Sequence, residues 1–238
     1  MGVPPMTLAR DVTTRVAELR RHIAALYGDL GRRGLVTWAT GNASARVPDA
    51  DLLVITPLGI NPDDITPEGT VVADLHGNVM DAELPPSSDV ESHAYVYRHM
   101  HQANGIVHTH STYATAWAVR NESVPCVLTM MANEFGGEIP VGPFSLIGDD
   151  SVGRQIVEVL STHRSPAVLM RNHGVYAIGA TPRDAARVAV MCEEAARTVH
   201  ISRQLGEPVE ISRLLVNALH AHHRDISGQP PLPPPTRR

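Results

Sequence analysis

The sequence has few cysteines and no long apolar run. Its only two cysteines, Cys126 and Cys192, do not form a CxxC pair, so we do not expect a framework of disulfide bonds. No segment approaches the roughly 20 consecutive apolar residues of a membrane-spanning helix, and the N-terminus lacks the apolar core of a signal peptide. Together these absences predict a protein of the reducing cytoplasm that has no membrane partner.

Clustered basic charge is also missing. The net charge is −5, and the 20 basic residues form no block along the chain. Because a nucleic-acid surface needs a concentrated basic footprint, we do not expect a nucleic-acid partner. With 43% apolar residues over 238 positions, the chain is instead long enough and apolar enough to bury a substantial globular core.

Helical and strand-like segments alternate along the chain. Apolar residues recur at three- and four-residue steps over residues 8–30, which predicts an amphipathic helix, and a second long helix is predicted over residues 181–204. Short apolar runs predict strands, including residues 35–38 and 124–131, whereas residues 40–46 are interpreted as a loop that enters a strand. This interleaving predicts an α/β or α+β fold in which helices are layered around one sheet.

Two apolar strands are predicted to end in histidine. His108 and His110 close one of them, and side chains two residues apart on a strand leave the same face, so these two histidines can converge on one point. The other strand ends at His173, which Gly174 follows. Neutral imidazole is the commonest metal ligand among side chains, and two ligands leave a divalent ion under-coordinated. The three histidines therefore predict a metal site; the alternative is that they are ordinary core or surface residues.

Polar segments elsewhere can contribute to the same site. Gly41 and Asn42 lie between two predicted strands, where backbone amides and the Asn amide can bind an oxyanion. Ser87 and Ser88 precede a predicted helix, whose free N–H groups and dipole attract anions. Asp89, next to them, is a candidate general acid/base or a further metal ligand. Each segment alone is more commonly a simple turn or helix cap, so the prediction depends on their combination.

In combination, the ordered motifs GNAS, TPxG, PSSD, HTH and NHG resemble the class II aldolase/adducin family, which includes L-fuculose-phosphate aldolase and L-ribulose-5-phosphate 4-epimerase. The resemblance covers residues 8–229, which implies one domain between a lead-in of residues 1–7 and a proline-rich tail of residues 230–238. It implies a single-domain αβα sandwich around a central, mainly antiparallel sheet. It also implies a homotetramer with active sites between neighbouring subunits.

The resemblance further implies roles for individual residues. His108, His110 and His173 match the family's metal ligands, with Zn²⁺ expected and Mn²⁺ or Fe²⁺ as alternatives, and Asp89 matches the position of the catalytic acid/base. The residues that match the substrate-phosphate pocket are Gly41, Asn42, Gly59, Ser87 and Ser88. The implied activity is that of a metal-dependent aldolase, which cleaves a carbon–carbon bond of a small phosphorylated ketose through a metal-stabilised enediolate.

The chain departs from the family at positions that decide the reaction. Asn133 stands where the epimerases have an aspartate, and Ser227 stands where they have a tyrosine. Thr129 takes the place of the tyrosine expected in the aldolases. Leu58 takes the hydroxyl position of the phosphate loop, and the loss of one phosphate-facing donor should cost on the order of 1–3 kcal/mol if phosphate is bound.

These departures leave several alternatives open. They are an L-ribulose-5-phosphate 4-epimerase, a family decarboxylase or dehydratase acting on a non-phosphorylated acid, and a non-catalytic adducin-like module. Retention of the three predicted ligands argues against the last, because a scaffold does not need them. His220, His222 and His223 lie just before Ser227, and one of them could supply the missing acid to a neighbouring subunit. The alternative is that they form a solvated helix end, where histidines also suit the dipole.

Overall fold

The computed structural model describes residues 10–227 and places an eight-stranded sheet at the centre of the fold. The strands are β1 (Gly41–Arg46), β2 (Leu52–Ile55), β3 (Val71–Asp74), β4 (Val79–Asp81), β5 (Gly105–Thr109), β6 (Val141–Gly142), β7 (Ala167–Met170) and β8 (Gly174–Gly179). They lie in the order β4-β3-β2-β1-β5-β8-β7-β6, and every neighbouring pair is antiparallel except β6 and β7. The predicted mainly antiparallel sheet is therefore confirmed.

Helices cover both faces of this sheet. The helices of the described residues are α1 (Arg10–Arg32), α2 (Val90–His99), α3 (Thr112–Arg120), α4 (Thr129–Phe135), α5 (Ser151–Leu160), α6 (Pro182–Leu205) and α7 (Arg213–Ser227). Helices α2 and α5 pack on one face and the others on the opposite face, so the predicted αβα sandwich is confirmed. Within residues 10–227, no helix is both long enough and apolar enough to cross a membrane. The predicted lead-in and tail lie outside the described residues, so the domain boundaries stay predictions.

The alternation of side chains along the central strands decides which residues meet α2. Both faces of β5 are buried, and its successive residues divide between the two apolar layers. Ile106 packs in the layer that contains α2 and α5, whereas Val107 packs in the layer on the other side. By the same alternation, His108 lies on the face that α2 covers. A single register step would move this histidine to the wrong side of the sheet.

The long helix α6 holds the start of α3, the helix that follows His110. Helix α6 begins where the hydroxyl of Thr181 accepts a hydrogen bond from a backbone N–H of the first turn, with proline in the first helical position. Near the middle of α6, the Glu193 carboxylate accepts hydrogen bonds from the backbone N–H groups of Tyr113 and Ala114, at 2.9 and 2.8 Å. These are the otherwise unpaired amides at the start of α3. The end of β5 is therefore held between the sheet and α6.

Three of the predictions of secondary structure are wrong. Residues 35–38 form turns, not a strand, and residues 40–46 belong mostly to strand β1, not to a loop. In the predicted strand 124–131, only one bridge forms, between Val124 and Ile139, and the last residues begin helix α4. A short apolar run cannot be assigned to strand or helix from its period alone, which explains this error.

Candidate metal centre and active site

The three predicted ligand histidines meet at one end of the central strands. The ligating atoms of His108, His110 and His173 all lie within 4.8 Å of one another, and the Nε2 atoms of His108 and His110 are 3.0 Å apart. Strand β8 lies between β5 and β7 in the sheet, so the end of β5 lies beside the turn that joins β7 to β8 and carries His173. The fold thus brings together residues more than 60 positions apart into a group that can hold a metal ion.

The donor chemistry of this group fits a divalent ion. Nδ1 of His108 lies 2.8 Å from the carbonyl oxygen of Val175, which can only accept, so Nδ1 carries the proton and Nε2 presents its lone pair. Burial lowers the pKa of His108 to about 3 and lowers the pKa of His110 and His173 as well, so all three are neutral near neutral pH. Nitrogen ligands about 2.0–2.1 Å from a tetrahedral zinc are roughly 3.3 Å apart. The His108–His110 separation of 3.0 Å is close to this value, whereas the whole group extends over as much as 4.8 Å.

Gly174 allows the histidines to approach so closely. A Cβ atom at this position would lie 2.5 Å from the carbonyl oxygen of Thr109 and 2.8 Å from the ring of His110. The first neighbour is strand backbone and cannot move freely, and movement of the second would displace a predicted ligand. The glycine of the NHG motif is therefore required by the packing of the ligand group.

Asp89 occupies the N-terminal cap position of α2, but its carboxylate does not cap the helix. Its Oδ2 atom instead accepts a hydrogen bond of 2.7 Å from the side-chain amide of Asn42 and lies 3.9 Å from Nε2 of His108. The hydroxyl of Ser87 accepts a hydrogen bond of 3.3 Å from the backbone N–H of Asp89. The carboxylate is thus buried and directed at the histidine group.

The surroundings of Asp89 favour its ionised form. Burial by itself raises the pKa of this carboxyl group. The positive charges that His108 and His93 take up in acid, together with the hydrogen bond from Asn42, outweigh that effect and hold the pKa of Asp89 below its ordinary value. Asp89 is therefore a carboxylate at neutral pH and can accept a proton.

The residues predicted to form a phosphate pocket lie on β1 and on two adjacent connections. Gly41 and Asn42 belong to β1, and the side-chain amide of Asn42 already donates to the carboxylate of Asp89. Ser87 is buried, whereas Ser88 and Gly59 are exposed. A bridge between two prolines joins the connection that carries Gly59 to the one that carries the serines. Of the five residues, Asn42 and Ser87 contact Asp89, and a phosphate pocket formed by all five stays a prediction.

Sequence reasoning missed two buried residues of the site, His93 and Tyr176. His93 lies one turn further along α2, and its Nδ1 is 2.8 Å from the hydroxyl of Ser44, which is itself 2.7 Å from the hydroxyl of Tyr97. Tyr176, on β8, stacks on the ring of His108. The four-residue spacing from Asp89 could have indicated His93. The position of Tyr176 depends on strand register, for which the sequence has no local signal.

Helix α7 packs against α4, which carries Asn133. Nδ1 of His220 donates a hydrogen bond of 3.0 Å to the backbone carbonyl of Asn133, and His220 is only 8% exposed. His220 thus holds the two helices together, whereas His222 is exposed and His223 partly exposed. The side chain of Ser227 lies outside the described part of the chain. A catalytic role for a C-terminal histidine stays a prediction.

A family model described as "Class II Aldolase and Adducin N-terminal domain" matches residues 21–200. The chain belongs to this family. The class II aldolase/adducin fold recurs in solved structures that match over most of the chain. A structure of L-fuculose 1-phosphate aldolase is 26% identical, with a TM-score of 0.82, and the match covers 87% of this chain and 96% of the other.

Two further structures extend this class II aldolase comparison. YgbL from Klebsiella pneumoniae, described as a candidate aldolase, epimerase or decarboxylase, is 27% identical, with coverage of 86% and 98% and a TM-score of 0.76. L-fuculose-1-phosphate aldolase from Thermus thermophilus is 24% identical, with coverage of 82% and 99% and a TM-score of 0.67, and shows the shared fold. Class II aldolases are metal-dependent, and the histidine group of this chain can hold a metal ion.

Proposed function

We propose that this class II aldolase/adducin-family chain is a metal-dependent aldolase acting on a small ketose phosphate. The observation that carries the proposal is the position of an ionised carboxylate, Asp89, 3.9 Å from Nε2 of His108 within a group of three neutral histidines. This arrangement provides a proton acceptor directly beside a site for a Lewis acid. The similarity to a structure named L-fuculose 1-phosphate aldolase supports a sugar-phosphate substrate.

The composition of the chain supports the metal-dependent route. Breaking a carbon–carbon bond next to a carbonyl requires a group that takes up the negative charge developing on the carbonyl oxygen. A lysine Schiff base can do so, but all 20 basic residues of the sequence are arginine. A divalent ion held by His108, His110 and His173 supplies a Lewis acid when bound. Three nitrogen ligands favour zinc over manganese or iron.

Asp89 acts in this proposal as the proton acceptor and donor. In the cleavage direction its carboxylate takes the proton of the substrate hydroxyl as the carbon–carbon bond breaks, and then gives that proton to the carbon that has lost its bond; condensation runs the two transfers in reverse. The hydrogen bond from Asn42 orients the carboxylate, and the hydrogen bond from His108 to the Val175 carbonyl orients the imidazole. Both groups are thus held in place by the protein before substrate binds, which reduces the cost of reaching the transition state.

The proposal includes an assembly and a compartment. We propose a homotetramer in which a neighbouring subunit completes the active site. The chain departs from the epimerases at Asn133 on α4 and at Ser227 at the end of α7. These two helices pack together. We propose the cytoplasm as the compartment, because Cys126 and Cys192 are both buried and unpaired.

A decarboxylase or dehydratase acting on a non-phosphorylated acid is the second candidate. The phosphate loop favours it, because the side chain of Leu58 is 57% exposed where a hydroxyl would serve phosphate, and its backbone N–H donates to the carbonyl of Pro85. No arginine occurs in residues 37–45, 56–60 or 85–89, so these segments offer a phosphate no side-chain cation. A 4-epimerase is less favoured, because Asn133 cannot take up a proton.

Metal analysis followed by a substrate screen tests the proposal. The purified protein is analysed for zinc, manganese and iron, then stripped, reloaded and incubated with ketose phosphates and their unphosphorylated analogues. We expect metal-dependent release of an aldehyde and a three-carbon fragment from a ketose phosphate. An epimeric product with the carbon chain intact would indicate an epimerase, and release of carbon dioxide or water from an acid would indicate the second candidate. A protein that binds no metal would support the adducin-like alternative.

A further inference from the structure

A cross-strand row of side chains lies beneath the start of α2. In the register of the sheet, Asn42 on β1 is opposite His108 on β5, and His108 is opposite Tyr176 on β8. Residues opposite each other on antiparallel strands point to the same face. The row Asn42–His108–Tyr176 therefore faces Asp89, which contacts its first member by a hydrogen bond and approaches its second to 3.9 Å.

Tyr176 is the third member of this row. Its side chain is fully buried, and its ring lies nearly parallel to that of His108, with centroids 4.1 Å apart and 12° between the planes. Its hydroxyl is a buried polar atom that completes no hydrogen bond with any of residues 10–227. Buried hydroxyls are nearly always hydrogen-bonded, so this one requires a partner within a small side-chain movement.

The carboxylate of Asp89 is the partner that the surroundings favour. A carboxylate accepts on both oxygens, and Asn42 donates only to Oδ2. Tyr176 lies directly opposite His108 on the neighbouring strand, Nε2 of His108 is 3.9 Å from Oδ2 of Asp89, and a phenolic hydroxyl can donate a hydrogen bond to a carboxylate. An ionised acceptor also forms the stronger hydrogen bond.

We propose that Tyr176 is a positioning residue for Asp89, to which its hydroxyl donates a hydrogen bond from the β8 side as Asn42 does from the β1 side. Its ring at the same time supports the imidazole of His108. The catalytic consequence rests on the proposed function, because it requires Asp89 to be the base, whereas the hydrogen bond itself does not. Two donors from opposite sides hold the carboxylate in one orientation, which keeps it aligned with a substrate proton.

His93 is the competing partner for the same hydroxyl. Its Nε2 atom is also buried without a hydrogen-bond partner among the described residues, and its ring lies 6.1 Å from that of Tyr176. A neutral imidazole is a weaker acceptor than a carboxylate, so the hydroxyl is assigned to Asp89. Variants that remove one acceptor at a time distinguish the two.

Resonance Raman spectroscopy of tyrosine in the metal-free protein tests the hydrogen bond directly. The difference between wild type and Tyr176→Phe isolates the signal of one of five tyrosines, and we expect the doublet pattern of a strong hydrogen-bond donor. The same difference measured in an Asp89→Asn background should shift towards a weaker donor, and in a His93→Gln background it should not. A signal that responds to His93→Gln and not to Asp89→Asn would overturn the assignment.

Kinetics with a proven substrate test the positioning role, with Tyr97→Phe as the matched control. Tyr97 is an equally buried tyrosine of the same layer, whose hydroxyl is hydrogen-bonded to Ser44. We expect Tyr176→Phe to lower kcat on the order of tenfold with KM and metal content unchanged, and Tyr97→Phe to lower only thermal stability. Equal kcat in wild type and Tyr176→Phe would overturn the role. If no substrate is cleaved, the proposed function fails, while the spectra still decide on the hydrogen bond.

Discussion

The carboxylate of Asp89 lies 3.9 Å from Nε2 of His108, although the two residues come from different layers of the fold, helix α2 and strand β5. An aspartate at the first position of a helix ordinarily binds the backbone N–H groups of that helix. Here the hydroxyl of Ser87 contacts the start of α2 instead, and the aspartate is directed into the histidine group. Asp89 resembles a helix cap in the sequence, but its carboxylate is positioned to accept a proton from a substrate.

Replacement of Asp89 by Asn should greatly lower kcat without removing the metal. The variant keeps the hydrogen-bonding shape of the side chain but loses the proton acceptor, so we expect kcat to fall about 100-fold or more. Metal content should not change, because the three histidines are intact. Asp149→Asn is a matched control, since Asp149 accepts a hydrogen bond from the backbone of Ser151 at the start of α5. Near-normal turnover in Asp89→Asn would reduce this residue to a structural role.

Replacement of Gly174 by Ala should weaken metal binding. The added Cβ would meet the backbone of Thr109 at 2.5 Å and the ring of His110 at 2.8 Å, and therefore must displace a strand end or a ligand. We expect the Kd for zinc to rise about tenfold or more, measured by competition with a chelator. Gly69→Ala is the control, because a Cβ there finds its nearest neighbour at 3.4 Å. An unchanged Kd in Gly174→Ala would show that the site tolerates the displacement.

The burial of His93 predicts that the protein loses stability in acid. This histidine is fully buried, and burial lowers its pKa from 6.5 to about 4, partly opposed by Asp89. The imidazole of His93 therefore binds a proton more tightly in the unfolded chain than in the folded protein. The contribution of neutral His93 to the free energy of unfolding is fully present above pH 6.5. It is lost as the pH falls from 6.5 towards 4, by up to about 3 kcal/mol.

Urea unfolding of the metal-free protein at several pH values checks this prediction. Burial lowers the pKa of His108 to about 3, so that histidine contributes a slope of the same sign. The comparison between wild type and His93→Gln isolates the share of His93, and we expect the variant to have a shallower decrease between pH 6.5 and 4. Equal slopes would mean that His93 does not stay neutral in the folded protein at these pH values.

The parts of the fold with strong periodic signals could be predicted from sequence. Apolar residues at helical spacing indicate α1 and α6, and the apolar run before His108 and His110 indicates a strand end, which the structure has at Thr109. The helix α4 was mistaken for a strand, because its short apolar run, Met130 to Ala132, fits either period. Local signals thus sufficed where a segment was long and failed where it was short.

The site could be predicted only as far as its members could be assigned from local motifs. The three histidines follow apolar runs and Asp89 precedes a helix, so each had a signal in its own segment. The hydrogen bond by which Asn42 orients Asp89, by contrast, joins residues 47 positions apart in the sequence. Tyr176 depends on the register between β5 and β8. Such contacts are decided by tertiary packing, which sequence spacing does not report.

The central claim is that His108, His110 and His173 hold one divalent ion, and calorimetric titration of the metal-free protein with zinc tests it most directly. Wild type should bind one ion per chain, and so should the control His101→Ala, which removes an exposed histidine. His173→Ala should bind at least 100-fold more weakly, with the unfolding midpoint of its metal-free form unchanged. Stoichiometric zinc binding of undiminished affinity in His173→Ala would contradict the account.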